Sequence, residues 1–256
     1  MPAHRRSWLL RFACGFLVLI LSVTLLPAFL IPTHYFVTSE ALDRYPEAEI
    51  HKWERDRMKR GCAAADMVEG GLPFIHGPYE KRFHFDNDFT FQMVTSNFAD
   101  VAKLIDTNLA KPEKDPWEFG KALHAIEDVY SHSNYVELYR DYRTARDNDL
   151  VGVIPTFDDV MLQPADYKDF ISLLKIELHT GRYPNDKNSP LETNHGRAMW
   201  SGPGMNKDSL ARTLYEDARE TAVRAAHQYL QLYVKDPAAL QRWKKLKAIR
   251  FGAALK

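Results

Sequence analysis

After Pro32, apolar residues recur at helical spacing along most of the chain, with charged residues on the opposite faces. The pattern predicts helices over Glu40–Tyr45 and Glu49–Met67, the latter closed by Gly70, Gly71 and Pro73. A loop through Gly77 and Pro78 leads to a long helix, Phe89–Leu109, for which Asp88 is the expected N-cap. Asp115 followed by Pro116 opens a third, an acidic cap with proline at the first helical position, running to about Arg143. Asp147–Pro164 is mixed, and Asp166–His179 reads as helix. Gly181–Lys207 is a loop rich in Gly, Pro and Asn, of a length uncommon unless it carries function or moves. Asn206–Lys235 is the last long helix. Pro237–Lys256 is a short basic helix whose Trp243, Leu246 and Ile249 stand three apart; it is expected to be a solvated basic end, with contact to anionic lipid as the alternative. No alternating strand pattern and no internal repeat appears. The expected fold is all-α: a single compact multi-helix domain over residues 33–236, followed by the basic helix over 237–256.

Residues 1–32 have a different character. Arg5, Arg6 and Arg11 precede an uncharged stretch from Phe12 to Thr33 rich in Leu, Val, Ile and Phe. A basic start and an apolar run form the pattern of a signal peptide, and the run is also long enough for a transmembrane anchor. Leu26-Pro27-Ala28 lacks the small first residue of a good cleavage site, so cleaved signal and uncleaved anchor both stand. Either places the body outside the cytoplasm, secreted, periplasmic or tethered to the membrane.

Charge narrows the partners. Lys plus Arg (34) equals Asp plus Glu (34), which gives no general electrostatic signal for nucleic acid. Cys62 is the only cysteine beyond the apolar run, too few for an intrachain disulfide, and it sits beside alanines as a small buried thiol would.

The candidate chemistry begins in Gly120–Asn134. His124, Asp128 and His132 are spaced four apart, which places them on one stripe of a helix, one turn from each other. Imidazole and carboxylate are both good zinc ligands, and a carboxylate can bridge two ions. Leu123, Ile126, Val129 and Tyr130 form the neighbouring apolar face, while Gly120 and Ser131 leave room for other segments. The bland alternative is a solvated polar face. His84 in Phe83–Asp88 is a second candidate ligand, with Asp86 as a supporting group. Asp66, set among small apolar residues, is costly to bury without a partner, and a metal would supply one. His34 follows the apolar run. His51, His76, His179 and His227 lack partners at ligand spacing and read as surface or packed residues, His76 with a minor chance of approaching the site.

Thr33-His34 with Val37-Thr38, then Ala65-Asp66, then His84-Phe85 with its acids, then Ala122-Leu123-His124 with Asp128 occur in this order along most of the chain. In this the sequence resembles the zinc-dependent phospholipase C family, whose superfamily includes fungal single-strand nucleases. The segment Gly120–Leu138, with His132-Ser133-Asn134 and Glu137, and the run Gly204–Ser209 look closer to Het-C type proteins of heterokaryon incompatibility. The resemblance implies one zinc ion held by Asp66, His84, His124 and Asp128, and a second taking His34, with Asp128 bridging. It gives Asp66 a catalytic role as an acid that ligates and assists proton removal, and makes His132 a further ligand, closer to Asp128 than in the phospholipases but at the Het-C spacing, with Asn134 and Glu137 in support. The sequence departs from the phospholipase pattern at a third site, for which only His195, Glu216 and Glu220 are candidates. It departs again before His34, where the phospholipases have an N-terminal tryptophan. Two zinc ions are expected rather than three. The implied function is phosphoester hydrolysis on a phospholipid or other phosphodiester, at or near a membrane. A single-strand nuclease, or a degenerate metal-binding interaction protein tethered to the membrane, is the alternative.

Overall fold

A computed structural model describes residues 32–67, 83–147, 152–183, 188, 190, 193, 204–208, 210 and 212–253. The expected signal or anchor therefore lies outside the described residues, apart from Pro32. Among the described residues the regular structure is helical: α1 (Pro32–Leu42), α2 (Lys52–Met67), α3 (Phe91–Leu109), α4 (Pro116–His132), α5 (Tyr135–Asp147), α6 (Phe157–Leu162), α7 (Lys168–Glu177), α8 (Tyr215–Tyr233) and α9 (Pro237–Ala253). None of these helices is long and apolar enough to cross a membrane.

The molecule is organised around α4. Nearly all of it is buried, on every face, as befits a helix that is apolar round much of its circumference. It packs chiefly on α2 and α8, with α1 and α3 alongside. The approach to α2 is close because glycines stand at the crossing. A Cβ on Gly120 would lie 2.1 Å from the Met58 carbonyl oxygen, and one on Gly61 2.1 Å from that of Trp117. Phe85, Phe98, Phe119, Tyr130, Tyr135, Phe157 and Tyr233 fill the surrounding core.

Several boundaries differ from those the sequence pattern predicts. Thr33 and His34 belong to the first turn of a helix, α1, that the preceding apolar run hides. Thr90, not Asp88, caps α3, accepting from the Met93 amide; Asp88 is buried and bonded to Thr180 and Asn97 instead. The helix expected over 116–143 breaks at Ser133, whose extended backbone separates α4 from α5. The helix expected from Asn206 begins only at Tyr215, after Leu214 in the left-handed region (φ 64°), leaving Asn206 and Asp208 on a loop. The C-terminal helix packs on α3, α6 and α8. Its Trp243 and Leu246 are buried in the common core and Trp243 donates to Asp106, while Lys244 and Lys245 stay exposed.

The break at Ser133 has a structural use. A helix end leaves carbonyls without intrahelical partners. Here the Ser131 carbonyl accepts from the Lys207 amide at 2.9 Å, and that of His132 from the Gly181 amide at 2.8 Å. The Ser133 carbonyl accepts from Lys207 Nζ at 2.6 Å. Two loops are thereby fastened to the end of α4 that carries His132.

Candidate metal centre

The C-terminal half of α4 supplies Glu127, Asp128, His124 and His132, all buried. His34 enters from the first turn of α1. His84 and Asp86 come from the segment before α3, which is fixed by Asn97: its side-chain amide donates to the His84 carbonyl at 2.9 Å and to Asp88 at 3.2 Å. The same segment runs beside residues 180–181, through Asn87 to Gly181 and the Asp88–Thr180 pair. Asp208 arrives on the loop held by Lys207.

Asp128 lies at the centre. One carboxylate oxygen is 3.2 Å from His34 Nε2 and 3.4 Å from His124 Nε2; the other is 3.2 Å from His84 Nδ1 and 3.5 Å from His132 Nδ1. His124 Nε2 and His84 Nδ1 are 3.3 Å apart. On the far side, Asp208 places one oxygen 3.2 Å from His34 Nε2 and the other 2.7 Å from His132 Nε2. Asp86 is 3.8 Å from His132 Nδ1.

These spacings bear on whether the cluster is an ion-pair network or a cation site. Charge-assisted N–H···O bonds run at about 2.7–2.9 Å. Ligands each about 2.0–2.1 Å from one tetrahedral ion stand about 3.4 Å apart. Most separations around Asp128 match the edge of a coordination shell. The partner atoms agree: His34 Nε2, Asp128 Oδ1 and Asp208 Oδ1 are each buried without a hydrogen-bond partner, although His34 Nε2 stands 3.2 Å from each of the two oxygens. Burying polar atoms that way is costly unless something else satisfies them, and a divalent cation would. Two groups, His34–His124–Asp128 and His34–His132–Asp208, each bring ligand atoms within 4.8 Å of one another and could hold a metal ion. The residues present fit one.

A further carboxylate fixes the orientation of His34. Glu127 Oε2 lies 3.0 Å from His34 Nδ1 and accepts weakly from Cys62, while its other oxygen accepts from Thr38 at 2.7 Å. With Nδ1 donating to Glu127, the Nε2 lone pair faces inward, the arrangement by which a carboxylate orients a metal-binding imidazole. Cys62 is buried and forms no disulfide.

Charge balance in the cluster is correspondingly unusual. Burial opposes charge on His34, yet Asp208, Glu127 and Asp128 hold its pKa well above the ordinary imidazole range. Burial likewise opposes charge on His132, which Asp128 and Asp208 lift to about 10. The carboxyls of Asp128 and Asp208 are held well below the usual range despite burial, by His124 and His132 in the first case and by His132 and His34 in the second. Burial raises Asp86 to about 6, with His132 opposing, and raises Glu127 with His34 opposing.

The structure thus brings together His34, His84, Asp86, His124, Asp128 and His132. Asp66 lies in the last turn of α2, and its side chain is not among those described. His76 and His195 lie outside the described residues. Glu216 is exposed and paired with Arg219 at 2.9 Å, and Glu220 is exposed on the same helix; neither reaches the cluster. Asn134 turns to residues 177–179, bonding the Glu177 carbonyl and the His179 amide. Glu137 pairs with Lys207 at 3.0 Å, so it touches the site only through that loop. Sequence reasoning missed Glu127, which beside Asp128 reads as one more helix charge. It also missed Asp208, whose only signal was its place in the Gly204–Ser209 run.

No family model matches this chain, and neither a curated protein nor a solved structure shows significant similarity to it. Fold and site together define a class: a compact multi-helix protein with buried His/Asp groups able to hold a metal ion.

Proposed function

We propose that this protein is a zinc-dependent phosphoester hydrolase of the phospholipase C type, acting outside the cytoplasm. The observation that carries the reading is the convergence of His34, His84, His124 and Asp128, from three separate segments, into one buried cluster with coordination-shell spacing. Imidazole nitrogen with carboxylate oxygen suits zinc among the common ions. His84, His124 and Asp128 would hold one ion, with Asp66 by the family resemblance, and His34 with Asp128 a second. Ions so placed supply a Lewis acid for a phosphoryl oxygen and acidify water toward neutral pH. The chain's own contributions are positional: Glu127 fixes the His34 tautomer, Asn97 fixes the loop bearing His84, and Asp128 ties α4 to both. Asp66 is the candidate to take the proton of the attacking water.

A phospholipid substrate is favoured by topology. The apolar run leads straight into α1, whose third residue is His34, so a membrane-held N-terminus would put the site beside the lipid surface. A second reading, a metal centre without turnover, draws on burial: His124 and Asp128 have no solvent exposure. The test is to assay the zinc-loaded full chain and Asp128→Ala on phosphatidylcholine vesicles and on single-stranded DNA. Release of the phosphorylated headgroup by the wild type alone is expected. Cleavage of DNA instead would make it a nuclease, and silence on both by the zinc-loaded protein would leave the metal centre without hydrolysis.

A further inference from the structure

We propose that Asp208 is itself a metal ligand, completing the second ion position around His34 from a loop fastened to the end of α4. The inference rests on the reading of the cluster as a metal centre, and adds to it a residue and an architecture. Three observations support it. His34 Nε2, Asp128 Oδ1 and Asp208 Oδ1 are among the buried atoms without hydrogen-bond partners, and His34 Nε2 stands 3.2 Å from each of the two oxygens. The second oxygen of Asp208 is already held, by His132 Nε2 at 2.7 Å and Asn206 Nδ2 at 3.0 Å, which aims the first at His34.

The loop is also built to keep it there. The Asp208 amide donates to Asn206 Oδ1 at 2.9 Å, and Thr33, next to His34, donates to the Asp208 carbonyl. Lys207, buried to 3% exposure, donates to the Ser133 and Met205 carbonyls and pairs with Glu137. A buried ammonium is expensive unless it is paired and hydrogen-bonded, as Lys207 is here. What these contacts secure is the neighbouring carboxylate. The second position would then be complete from residues internal to the chain, whatever the mature N-terminus.

The test counts ions. The full chain is stripped with chelator, reloaded with zinc, desalted and analysed by plasma mass spectrometry. Wild type should retain about two ions, and Asp208→Asn and His34→Asn each about one, because both residues serve the same position. Loss of one ion in His34→Asn but none in Asp208→Asn would overturn the assignment of Asp208. A wild type holding a single ion would overturn the second position while leaving the centre, and one holding none would remove both. Should Asp208→Asn fail to fold, Asp208→Glu carries the test by cobalt titration. Two absorption steps with the second weakened are expected, and a titration identical to wild type would overturn the proposal.

Discussion

At the scale of single residues, Glu127 has the clearest consequence. It binds no proposed ion yet fixes the imidazole that does, so Glu127→Gln should leave the fold intact and weaken zinc binding about 10–100-fold. Competition against a chromophoric chelator measures this, and an unchanged affinity would show that His34 needs no such partner. Protons supply a second expectation. His34 and His132 are held protonated at neutral pH in the metal-free cluster, and a cation that takes His34 Nε2 must displace the His34 proton. Zinc affinity should therefore rise as pH climbs above neutrality and His34 gives up its proton. Metal-free stability should run the other way. A His pKa raised on folding contributes fully below the unfolded value of about 6.5, and the contribution fades as pH climbs through the folded one. A melting temperature of the metal-free protein that falls between pH 7 and 10, while zinc affinity increases, satisfies both signs; equal proton uptake by free and loaded protein in calorimetry contradicts them.

At the scale of elements, the crossing of α2 and α4 sets how near the metal-binding stripe approaches its neighbours. Ala is favoured over Gly within a helix by about 1 kcal/mol. At Gly120 that gain meets a backbone carbonyl 2.1 Å from the new Cβ, which cannot swing aside as a side chain would. Overpacking of this kind costs about 1–3 kcal/mol or more, so Gly120→Ala should lower stability in urea unfolding despite its better propensity. A neutral or stabilising result would mean the helices can part freely. The crossing also marks what is legible in the sequence. Gly120 and the His124–Asp128–His132 stripe are local, repeating with the helical period, and can be read directly. His34 and His84 carry no period of their own; His84 is legible from the acids and aromatics around it, and His34 chiefly from the ordered motifs. Asp208 falls in Asn206–Lys235, a stretch whose pattern looks continuously helical although the left-handed Leu214 interrupts it. Thr90 outcompetes Asp88 as a cap for a tertiary reason: Asp88 is engaged by Thr180, far along the chain. Local pattern fixes helices; contacts between distant loops fix the ends and the last ligand.

At the scale of the whole molecule, the cluster draws on α1, α4, the segment before α3 and the loop before α8, so a cation bound there would tie together parts of the chain from residue 34 to residue 208. An ion that binds only the folded state stabilises it by about 2.7 kcal/mol at a hundredfold excess over its dissociation constant. For a chain this long each kcal/mol moves the melting temperature by roughly 2–4 °C, so removing the metal should lower it by roughly 5–11 °C. A plain network of imidazolium–carboxylate pairs predicts something different, because it is complete without a cation and chelator would leave the midpoint where it was. Scanning calorimetry of zinc-loaded protein with and without chelator therefore separates the two physical accounts of the same side chains without relying on any substrate. In Asp128→Ala, which removes the carboxylate facing all four imidazoles, the difference between the two scans should shrink sharply, since the variant keeps the helices but loses the group around which the ions would assemble.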